Sequence, residues 1–559
     1  MKKMKGHNKN TGIGHLTIPA MLGNSMKQFA DCPAVGMYGE KSLSYRDLYE
    51  AVAAVRMMLL RLKVGKAEKV AILGVNSPGW VIAFLAITSM GAIAVPLLPD
   101  FSSGEIENII RHSGCRHIFV TANLHSKIPA DSQMVIIPIE ELISSGIKET
   151  VPGDDREVYN SLHTDRDSSA AMIDENDTLS IIYTSGTTGK SKGVILSHRN
   201  VLWTAQQSSL IQPIDSSDRF LSVLPLSHTY ENTIGMILPL MFGASITYLG
   251  KTPSPSILLP ALQEVKPTIM LTVPLLIEKI FRKQVRDRFT KSLITNLLYH
   301  IPPLRMMLHR LAGIKLCSTF GGQLRFFGIG GAKLDRDTEK FLRDARFPYA
   351  IGYGLTETSP MLAGSAPFRT RLQATGPAME GVSIRIDNPD PHTGIGEVVV
   401  KGDNVMKGYY KEPELTREVF TEDGWLKTGD LGYMDSKNYL HLRGRLKNMI
   451  LGSSGENIYP EDIESIINNI KYVLESLVIQ QKGRLVALVH LNMEEMEERL
   501  NHLKSEAAQQ INEKIDHLLE EIKIYVNERV NKSSRLQAVI LQTAPFERTP
   551  TLKIKRYLY

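Results

Sequence analysis

The chain has 559 residues, of which 43% are hydrophobic and 22% charged, as in ordinary globular proteins of about three or four folded units. The net charge of +6 is a mild basic excess without clustered Lys and Arg, so it excludes a nucleic-acid-binding signature and leaves phosphate-rich ligands or an anionic membrane face as partners. The widely spaced Cys32, Cys115 and Cys317 exclude a disulfide framework and indicate a reducing cytoplasm.

The amino-terminal part contains one long uncharged stretch. The first 16 residues are basic and are not followed by an apolar run, so no signal peptide is predicted. Residues 80–98 are nearly long enough to span a bilayer, but Gly91 and Pro96 interrupt them. They are better explained as a buried helix that ends near Met90 and a following strand, with a membrane span as the alternative.

Helical and strand patterns alternate along the first part of the chain, which predicts a mostly parallel sheet covered by helices. The predicted helices are 46–62, 80–90 and 104–112, and the predicted strands are 70–74, 92–97 and 117–121. Residues 122–175 are polar and are predicted to be irregular. A second α/β stretch covers 179–355, in which strands 324–329 and 350–353 end in glycine-containing loops.

The pattern changes twice more toward the carboxyl end. Short strands and turns over 376–442 predict a small β-rich unit. Beyond residue 444 we predict a helix at 461–470 and paired strands at 473–480 and 485–491. Apolar residues at steps of three and four then form the stripe of an amphipathic helix. They are Met496, Leu500, Leu503, Ala507, Ile511, Ile515, Leu518 and Ile522.

The sharpest local signal is the run YTSGTTGKSKG at 183–193, which follows an apolar strand. Glycines let backbone N–H groups approach an anion, hydroxyls add donors, and Lys192 supplies a positive charge. The run is not a P-loop, because Thr184 occupies the position where that motif requires its first glycine. The predicted phosphate contacts are Thr184, Ser185, Gly186, Thr187, Thr188, Gly189 and Lys192.

This run resembles the phosphate-binding motif of adenylate-forming (AMP-binding) enzymes, and further motifs follow in that family's order. LPLSHTYE at 224–231 is similar to a motif in which His228 lines the acyl carboxylate site, with Tyr230 beside it. GIGGAKL at 328–334 resembles the adenine loop, with Gly330, Gly331 and Ala332 against the base; the chain has Lys333 where the family commonly has Pro.

The run GYGLTET at 352–358 is the most diagnostic of the series. By resemblance, Gly352 and Gly354 shape the nucleotide site, Tyr353 stacks on adenine, and Thr356 donates to the α-phosphate. Glu357 is a hard oxygen ligand for Mg²⁺, with the Thr184 hydroxyl as the second metal contact.

The later motifs belong to the ribose site and to a hinge. DGWLKTGD at 423–430 implies that Asp430 accepts hydrogen bonds from the ribose hydroxyls. RGRLK at 443–447 resembles the hinge between two domains, with Arg445 and Lys447 near the nucleotide. Gly444 stands there in place of the Asp that the family often carries.

Two carboxyl-terminal motifs complete the series. GENIYP at 455–460 resembles the loop that forms the pantetheine tunnel, and it begins with Gly455. RTPTLKIKR at 548–556 resembles the motif of the adenylation lysine. By that register the lysine is Lys553, preceded by Leu552 instead of the common glycine; Lys555 is a competitor, and a simple basic tail is the alternative.

The resemblance implies a long-chain fatty-acid–CoA ligase, so that ATP, Mg²⁺ and CoA serve an acid-activating reaction. The implied fold is α/β. A large domain, 1–443, contains two α/β subdomains and a small distorted β-barrel. A smaller mobile α+β domain, 444–559, follows it. The expected catalytic residues are Thr356, Glu357, Lys192, His228 and Lys553.

Three alternatives remain open: which molecule accepts the acyl group, whether the chain is catalytically active, and whether it contacts a membrane. An acyl–acyl-carrier-protein synthetase would share the first half-reaction, and a catalytically silent lipid- or nucleotide-binding protein is the other alternative. Residues 291–314 mix apolar and basic side chains around two prolines. They are either a helical hairpin packed on the core or a surface element that draws fatty acid from the inner face of a membrane.

Overall fold

The computed structural model describes the chain in segments. They are residues 14–129, 133–144, 173–185, 191–251, 253–286, 297, 299–452, 456–494, 496, 508–549 and 554–559. Within them the strands form two large mixed sheets, a four-stranded antiparallel sheet and two small carboxyl-terminal sheets. The predicted α/β class with a β-rich unit and a smaller carboxyl-terminal region is confirmed.

One large sheet has eight strands, most of them parallel. In spatial order they are Ala363–Gly364, Tyr349–Tyr353, Phe326–Ile329, Ile269–Thr272, Arg219–Ser222, Ser245–Tyr248, Pro33–Met37 and Leu43–Ser44. The first and last pair antiparallel with their neighbours and close the two edges. The carboxyl ends of the parallel strands therefore meet at one rim, where ligands bind in open α/β sheets.

The other large sheet has seven strands and carries the phosphate-loop motif. In spatial order they are Gly408–Tyr409, Ser191–Ser197, Thr178–Ser185, Ile93–Leu97, Lys69–Leu73, His117–Val120 and Val135–Pro138. The last of these lies in the region predicted to be irregular, so that prediction is wrong there. A short apolar run between polar loops forms an edge strand, which adds on beside 117–120.

Helices cover both sheets and lie between them. They include Ile18–Phe29, Tyr45–Arg61, Pro78–Ser89, Ser103–Ser113, His198–Ile211, Pro255–Val265, Pro274–Ile280, Pro302–Thr319 and Arg336–Asp344. Every residue of Pro78–Ser89 is buried, in a core cluster shared by both large sheets. This helix and the strand Ile93–Leu97 account for the long uncharged stretch at 80–98. Among the helices described, we find none with the length and apolar character that a membrane crossing requires.

The predicted β-rich unit is an antiparallel sheet. Its strands in order are Ser383–Asp387, Gly396–Lys401, Leu426–Met434 and Leu440–Arg445. Isolated bridges from Gly376 to Leu440 and from Ala363 to Ala378 link it to the eight-stranded sheet. The ribose motif and the hinge motif therefore lie on neighbouring strands of this unit.

The carboxyl-terminal part has its own apolar core, built from residues 450 onward. Its strands are Ile450–Leu451, Asn457–Ile458, Val473–Gln481, Arg484–Leu491 and Ala538–Leu541, and its helices are Pro460–Ile467 and Ala508–Asn527. In the last helix Ile515, Leu519, Ile522 and Val526 are buried at steps of three and four. Of the predicted stripe, Met496, Ile515 and Ile522 are buried and Leu518 is partly buried; Leu500, Leu503, Ala507 and the side chain of Ile511 lie outside the described part.

Candidate active site

The strands that flank the phosphate-loop motif bring Thr184 and Lys192 together. These two residues are direct partners across the antiparallel pair. Lys192 therefore lies beside the Thr184 backbone, as the motif requires. The predicted contacts that fall outside the described part are the Ser185 side chain, Gly186, Thr187, Thr188 and Gly189.

Tyr409 lies between Glu357 and Lys192, and the sequence motifs did not indicate it. The Tyr409 hydroxyl donates to Glu357 Oε1 over 2.8 Å, and the Tyr409 ring centroid is 5.2 Å from Lys192 Nζ. Burial, and then the negative charge of Glu357, raise the pKa of Tyr409, so its hydroxyl remains a donor. Tyr409 thus connects the predicted metal ligand with the predicted phosphate lysine.

The loop that carries Thr356 and Glu357 is fixed by close backbone packing. A methyl group added to Gly354 would overlap the carbonyl oxygen of Pro360 and lie 2.5 Å from its carbonyl carbon. The Thr358 hydroxyl accepts from the Leu355 N–H at 2.9 Å. The glycine in this motif is therefore required by space, and the short turn Thr356–Thr358 has little freedom.

Asp430 joins the eight-stranded sheet to the hinge. Its Oδ2 accepts a hydrogen bond of 2.7 Å from the Tyr353 hydroxyl, and its Oδ1 lies 2.8 Å from Arg445 Nε. Burial, and then the charge of Asp430, raise the pKa of Tyr353 well above its usual range. Tyr353 therefore holds the carboxylate predicted to bind ribose, a role that the motif alone did not indicate.

The predicted adenine loop begins at the end of the strand Phe326–Ile329, on the same rim as Tyr353. The ring of Tyr230 packs against it: a methyl group on Gly330 would lie 3.2 Å from Tyr230 Cε1. Gly331 has a φ of +86°, which favours glycine, and both Gly331 and Ala332 are exposed. The loop glycines thus make room for Tyr230 and leave an exposed turn beyond it.

His228 and Tyr230 lie just before a π-helical turn, Glu231–Ile237. His228 Nδ1 faces the Tyr230 backbone N–H at 3.5 Å, and the His228 side chain is partly buried. The next residue, Glu231, is fully buried, and burial raises its pKa to about 8. Its Oε2 has no hydrogen-bond partner among the described residues. This buried carboxyl next to the predicted acyl site is a second feature that the motif did not reveal.

The predicted hinge packs against the first helix of the carboxyl-terminal part, Pro460–Ile467. A methyl group on Gly444 would lie 2.6 Å from Glu461 Oε2, so this carboxylate occupies the space that a hinge side chain would need. Lys447 is exposed in the turn that follows the hinge. Gly455 lies outside the described residues.

The carboxyl-terminal motif is described on both sides of its central residues. Lys553 itself lies outside the described part. The competitor Lys555 lies 3.7 Å from Glu547, and Arg556 contacts Glu464 on the helix Pro460–Ile467. Because Lys555 faces a carboxylate of its own segment, the register that selects Lys553 remains the preferred prediction.

An apolar cavity of about 50 Å³ lies behind Tyr230 and the strand ends. Its wall includes Gly328 and Gly352, which belong to two of the nucleotide motifs. Mostly apolar side chains from the strands and from the helix His198–Ile211 line the rest, with Ser208, Gln212 and Ser365 as its polar members. A polar nucleotide-type site and an apolar cavity therefore share one wall.

The sequence matches a known enzyme family and resembles known relatives. A family model described as "AMP-binding enzyme" matches residues 22–410. Long-chain-fatty-acid–CoA ligase ACSBG2 of Rattus norvegicus is 28% identical over 523 residues, covering 86% of this chain and 78% of its own.

Two solved structures are similar over nearly their full length. ATP-bound MatB from Rhodopseudomonas palustris has a TM-score of 0.74 at 23% identity, covering 97% of this chain and 98% of its own. O-succinylbenzoate coenzyme A synthetase (MenE) from Bacillus subtilis, in complex with ATP and magnesium, has a TM-score of 0.73 at 23% identity, covering 96% and 98%. Since the family model spans more than half of the sequence, the chain belongs to the AMP-binding enzyme family.

Proposed function

We propose that the chain is an ATP-dependent fatty-acid–CoA ligase. The observation that supports it best is that Gly328 and Gly352, which belong to two of the nucleotide motifs, also form part of the wall of the apolar cavity. An acid whose hydrocarbon chain fills this cavity can present its carboxylate at the rim where Tyr353, Asp430 and Glu357 lie. Sequence similarity to long-chain-fatty-acid–CoA ligases supports the same class of acid.

The proposed reaction has two steps. The carboxylate oxygen attacks the α-phosphorus of ATP, and the bond to pyrophosphate breaks, leaving an acyl-adenylate. The CoA thiol then loses its proton and attacks the acyl carbonyl, so that a thioester forms and AMP leaves. The protein contributes mainly by positioning the reactants and stabilising negative charge.

The residues divide this task by their chemistry. Lys192 and the Thr184–Gly189 donors hold the triphosphate, Asp430 takes the ribose, and Thr356 donates to the α-phosphate. His228 and Tyr230 line the carboxylate end of the cavity. Lys553 supplies the charge that bridges the carboxylate and the α-phosphate in the first step.

The donor set at Glu357 fits Mg²⁺. Its carboxylate and the Thr184 hydroxyl are hard oxygen donors, and Tyr409 fixes Glu357 close to Lys192. No cluster of three metal-ligating side chains occurs in the described segments, which suits an ion that completes its shell with phosphate oxygens and water. When bound, the ion neutralises phosphate charge.

We also propose a boundary between two domains near Gly444. The separate apolar core of the carboxyl-terminal part supports it. So does the close approach of Glu461 to Gly444, which leaves no room for a side chain at the predicted hinge. Because the adenylation lysine and the thiol need the same position, the second domain, 444–559, rotates to exchange Lys553 for the loop that begins at Gly455.

The decisive experiment follows ATP–pyrophosphate exchange and AMP release over a panel of carboxylic acids, with and without CoA. We expect exchange that depends on fatty acid, and AMP release that rises with CoA. Lys553→Ala should abolish exchange and spare thioester formation from supplied acyl-adenylate. Absence of exchange with every acid, or equal loss of both half-reactions in the variant, would contradict the proposal.

The acceptor and the membrane contact are finer proposals. Acyl carrier protein bears the same pantetheine arm as CoA, and a direct competition between the two shows which acceptor the enzyme uses. The helix Pro302–Thr319 exposes Met307, Leu311 and Ile314 on one face, beside the exposed Arg310 and Lys315. Such a face suits peripheral binding to an anionic membrane.

The membrane proposal is tested by flotation with anionic vesicles. Reversing the charges at Arg310 and Lys315 should release the enzyme, whereas the matched exposed-site change Lys437→Glu should not. Unchanged flotation after the double reversal would end the membrane proposal.

A further inference from the structure

The apolar cavity is too small for the acid that the proposed function gives it. It encloses about 50 Å³, room for only a few atoms, whereas sites for small organic ligands typically occupy about 300–1,000 Å³. A fatty chain can enter only if part of the wall moves. The side chain that moves most easily then decides how long a chain is accepted.

The part of the wall that the strands supply is stiff. Ile269, Leu271 and Ile351 belong to central strands of the eight-stranded sheet, whose backbone is held on both sides. The β-branched side chains of Ile269 and Ile351 have few alternative rotamers. Met361, which also lines the cavity, is unbranched and has three rotatable side-chain bonds, so it can change shape at little cost.

Met361 occupies a notch formed by two glycines. Gly352 and Gly364 are direct partners across an antiparallel pair, so neither contributes a side chain at this point of the sheet. Met361 fills that space: its sulfur and its Cε would each lie 3.3 Å from a methyl group on Gly352. The same Cε would also clash with a methyl group on Gly364.

The backbone of Met361 is fixed by hydrogen bonds in which its side chain takes no part. Its N–H donates to the Thr358 carbonyl over 3.1 Å, and its carbonyl accepts from Asn404 Nδ2 over 2.7 Å. These bonds tie Met361 to the loop that carries Thr356 and Glu357. Movement of the side chain can thus enlarge the cavity without displacing the nucleotide motif.

We propose that the Met361 side chain is a displaceable wall of the acyl cavity and determines the chain length of the acid that the enzyme activates. The inference rests on the proposed function, because it assigns this cavity to the acyl chain. It goes beyond that function by naming one residue that sets the preference among acids.

The test compares the acid preference of three variants. Met361→Ala opens the notch permanently, and Met361→Ile replaces the flexible chain with a stiff one of similar size. Met379→Ala, at a buried methionine that does not line the cavity, controls for general loss of packing. The readout is kcat/KM for pyrophosphate exchange over straight-chain acids from short to long.

We expect Met361→Ala to raise the ratio of the longest to the shortest acid by about tenfold, the usual effect of reshaping an apolar pocket. Met361→Ile should lower the same ratio, and Met379→Ala should leave it unchanged. If Met361→Ala and Met361→Ile scale all acids equally, Met361 is only a packing residue and the inference is wrong.

A binding measurement separates this inference from the proposed function. The thermal shift that each acid produces is recorded for the wild type and for the Met361 variants, without ATP. If exchange fails with every acid, the proposed function is wrong, yet a longer maximum chain length bound by Met361→Ala would still support the inference. Identical thermal shifts in wild type and Met361→Ala would overturn it.

Discussion

Glu231 is a buried carboxyl group inside the large domain, next to the predicted acyl site. Its side chain folds back over Gly235, where a methyl group would lie 2.6 Å from Glu231 Cδ. Burial raises its pKa from an ordinary 4.5 to about 8, and Ser222 opposes the shift as a hydrogen-bond donor. Burial raises the pKa values of the Tyr230 and Tyr248 phenols, and the negative charge of Glu231 raises them further.

The raised pKa of Glu231 predicts how stability depends on pH. Because the folded state holds the proton more tightly, this contribution is complete below about pH 4.5 and is lost as the pH rises through 8. The slope in this window is at most about 1.4 kcal/mol per pH unit. Glu231→Gln should flatten the decline in free energy of unfolding between pH 5 and 8, as chemical denaturation would measure. The exposed-site variant Glu380→Gln should keep the wild-type slope; a wild-type slope in Glu231→Gln would refute the prediction.

The Tyr409 hydroxyl gives a second prediction, which concerns the use of ATP and Mg²⁺. Tyr409→Phe removes the hydroxyl that donates to Glu357 and keeps the ring beside Lys192. A hydrogen bond to a charged group is worth about 1.5–3 kcal/mol, so kcat/KM for ATP should fall about tenfold to a hundredfold. The Mg²⁺ concentration that gives half-maximal exchange should also rise.

Tyr410→Phe is the matched control. Within the described segments the neighbouring Tyr410 hydroxyl makes one long hydrogen bond of 3.4 Å, to the Ser113 carbonyl, so its loss should leave ATP use unchanged. Equal effects of the two substitutions would remove Tyr409 from the metal-holding role.

At the scale of elements, the correctly predicted helices are those whose signal lies in the local sequence. The helices at 46–62, 80–90 and 104–112 are present with ends shifted by one or two residues, because apolar periodicity and capping act locally. The strand Gly408–Tyr409 and the π-helical turn Glu231–Ile237 were missed. Neither leaves a periodic signal: long-range pairing defines the two-residue strand, and local hydrogen bonds between residues five apart define the π-helical turn.

The same reasoning explains which part of the site was predictable. Thr184, Lys192, Glu357 and Asp430 stand in contiguous motifs, whose composition alone indicates their chemistry. Tyr409 comes from a strand paired with the phosphate-loop strands, more than 200 residues later in the chain. Such a partner becomes visible only when the sheet order is known.

Gly354 gives a prediction for the loop as an element. Gly354→Ala places a methyl group against the Pro360 backbone, which cannot yield as a side chain would. We expect a loss of about 1–3 kcal/mol in the free energy of unfolding and a collapse of adenylation, since Glu357 moves with the loop. Gly104→Ala is the control, because a methyl group there has open space within a helix and should be neutral or stabilising. Equal stability of the two variants would show that the loop relaxes freely.

At the scale of the whole molecule, the two proposed domains meet through polar side chains. Lys333 Nζ lies 2.6 Å from Asp462 Oδ1, and Asn469 bonds Asp335 at the start of the helix Arg336–Asp344. Arg443 Nη1 lies 3.5 Å from the other Asp462 oxygen. Lys333 is the residue at which the adenine loop departs from the common pattern, and its partner lies across the hinge. The departure is therefore explained by a contact between domains.

This contact predicts a shift in the balance of the two half-reactions. The Lys333–Asp462 pair is about one-third exposed, so it contributes at most about 1 kcal/mol, or roughly fivefold in the populations of the two domain arrangements. Asp462→Asn weakens the described arrangement, so the half-reaction that uses it should slow while the other speeds up. Measuring acyl-adenylate formation and thioester formation separately gives both rates.

Salt and a charge exchange test the electrostatic cause of this shift. Lys333→Asp combined with Asp462→Lys should restore the wild-type ratio of the two rates in part, because Arg443 then faces a positive charge, whereas neither single reversal should restore it. High salt should diminish the difference between wild type and Asp462→Asn, because a partly exposed pair is screened. The proposed rotation would favour one step at the expense of the other, so a change of both rates in the same direction would mean that the pair only supports folding.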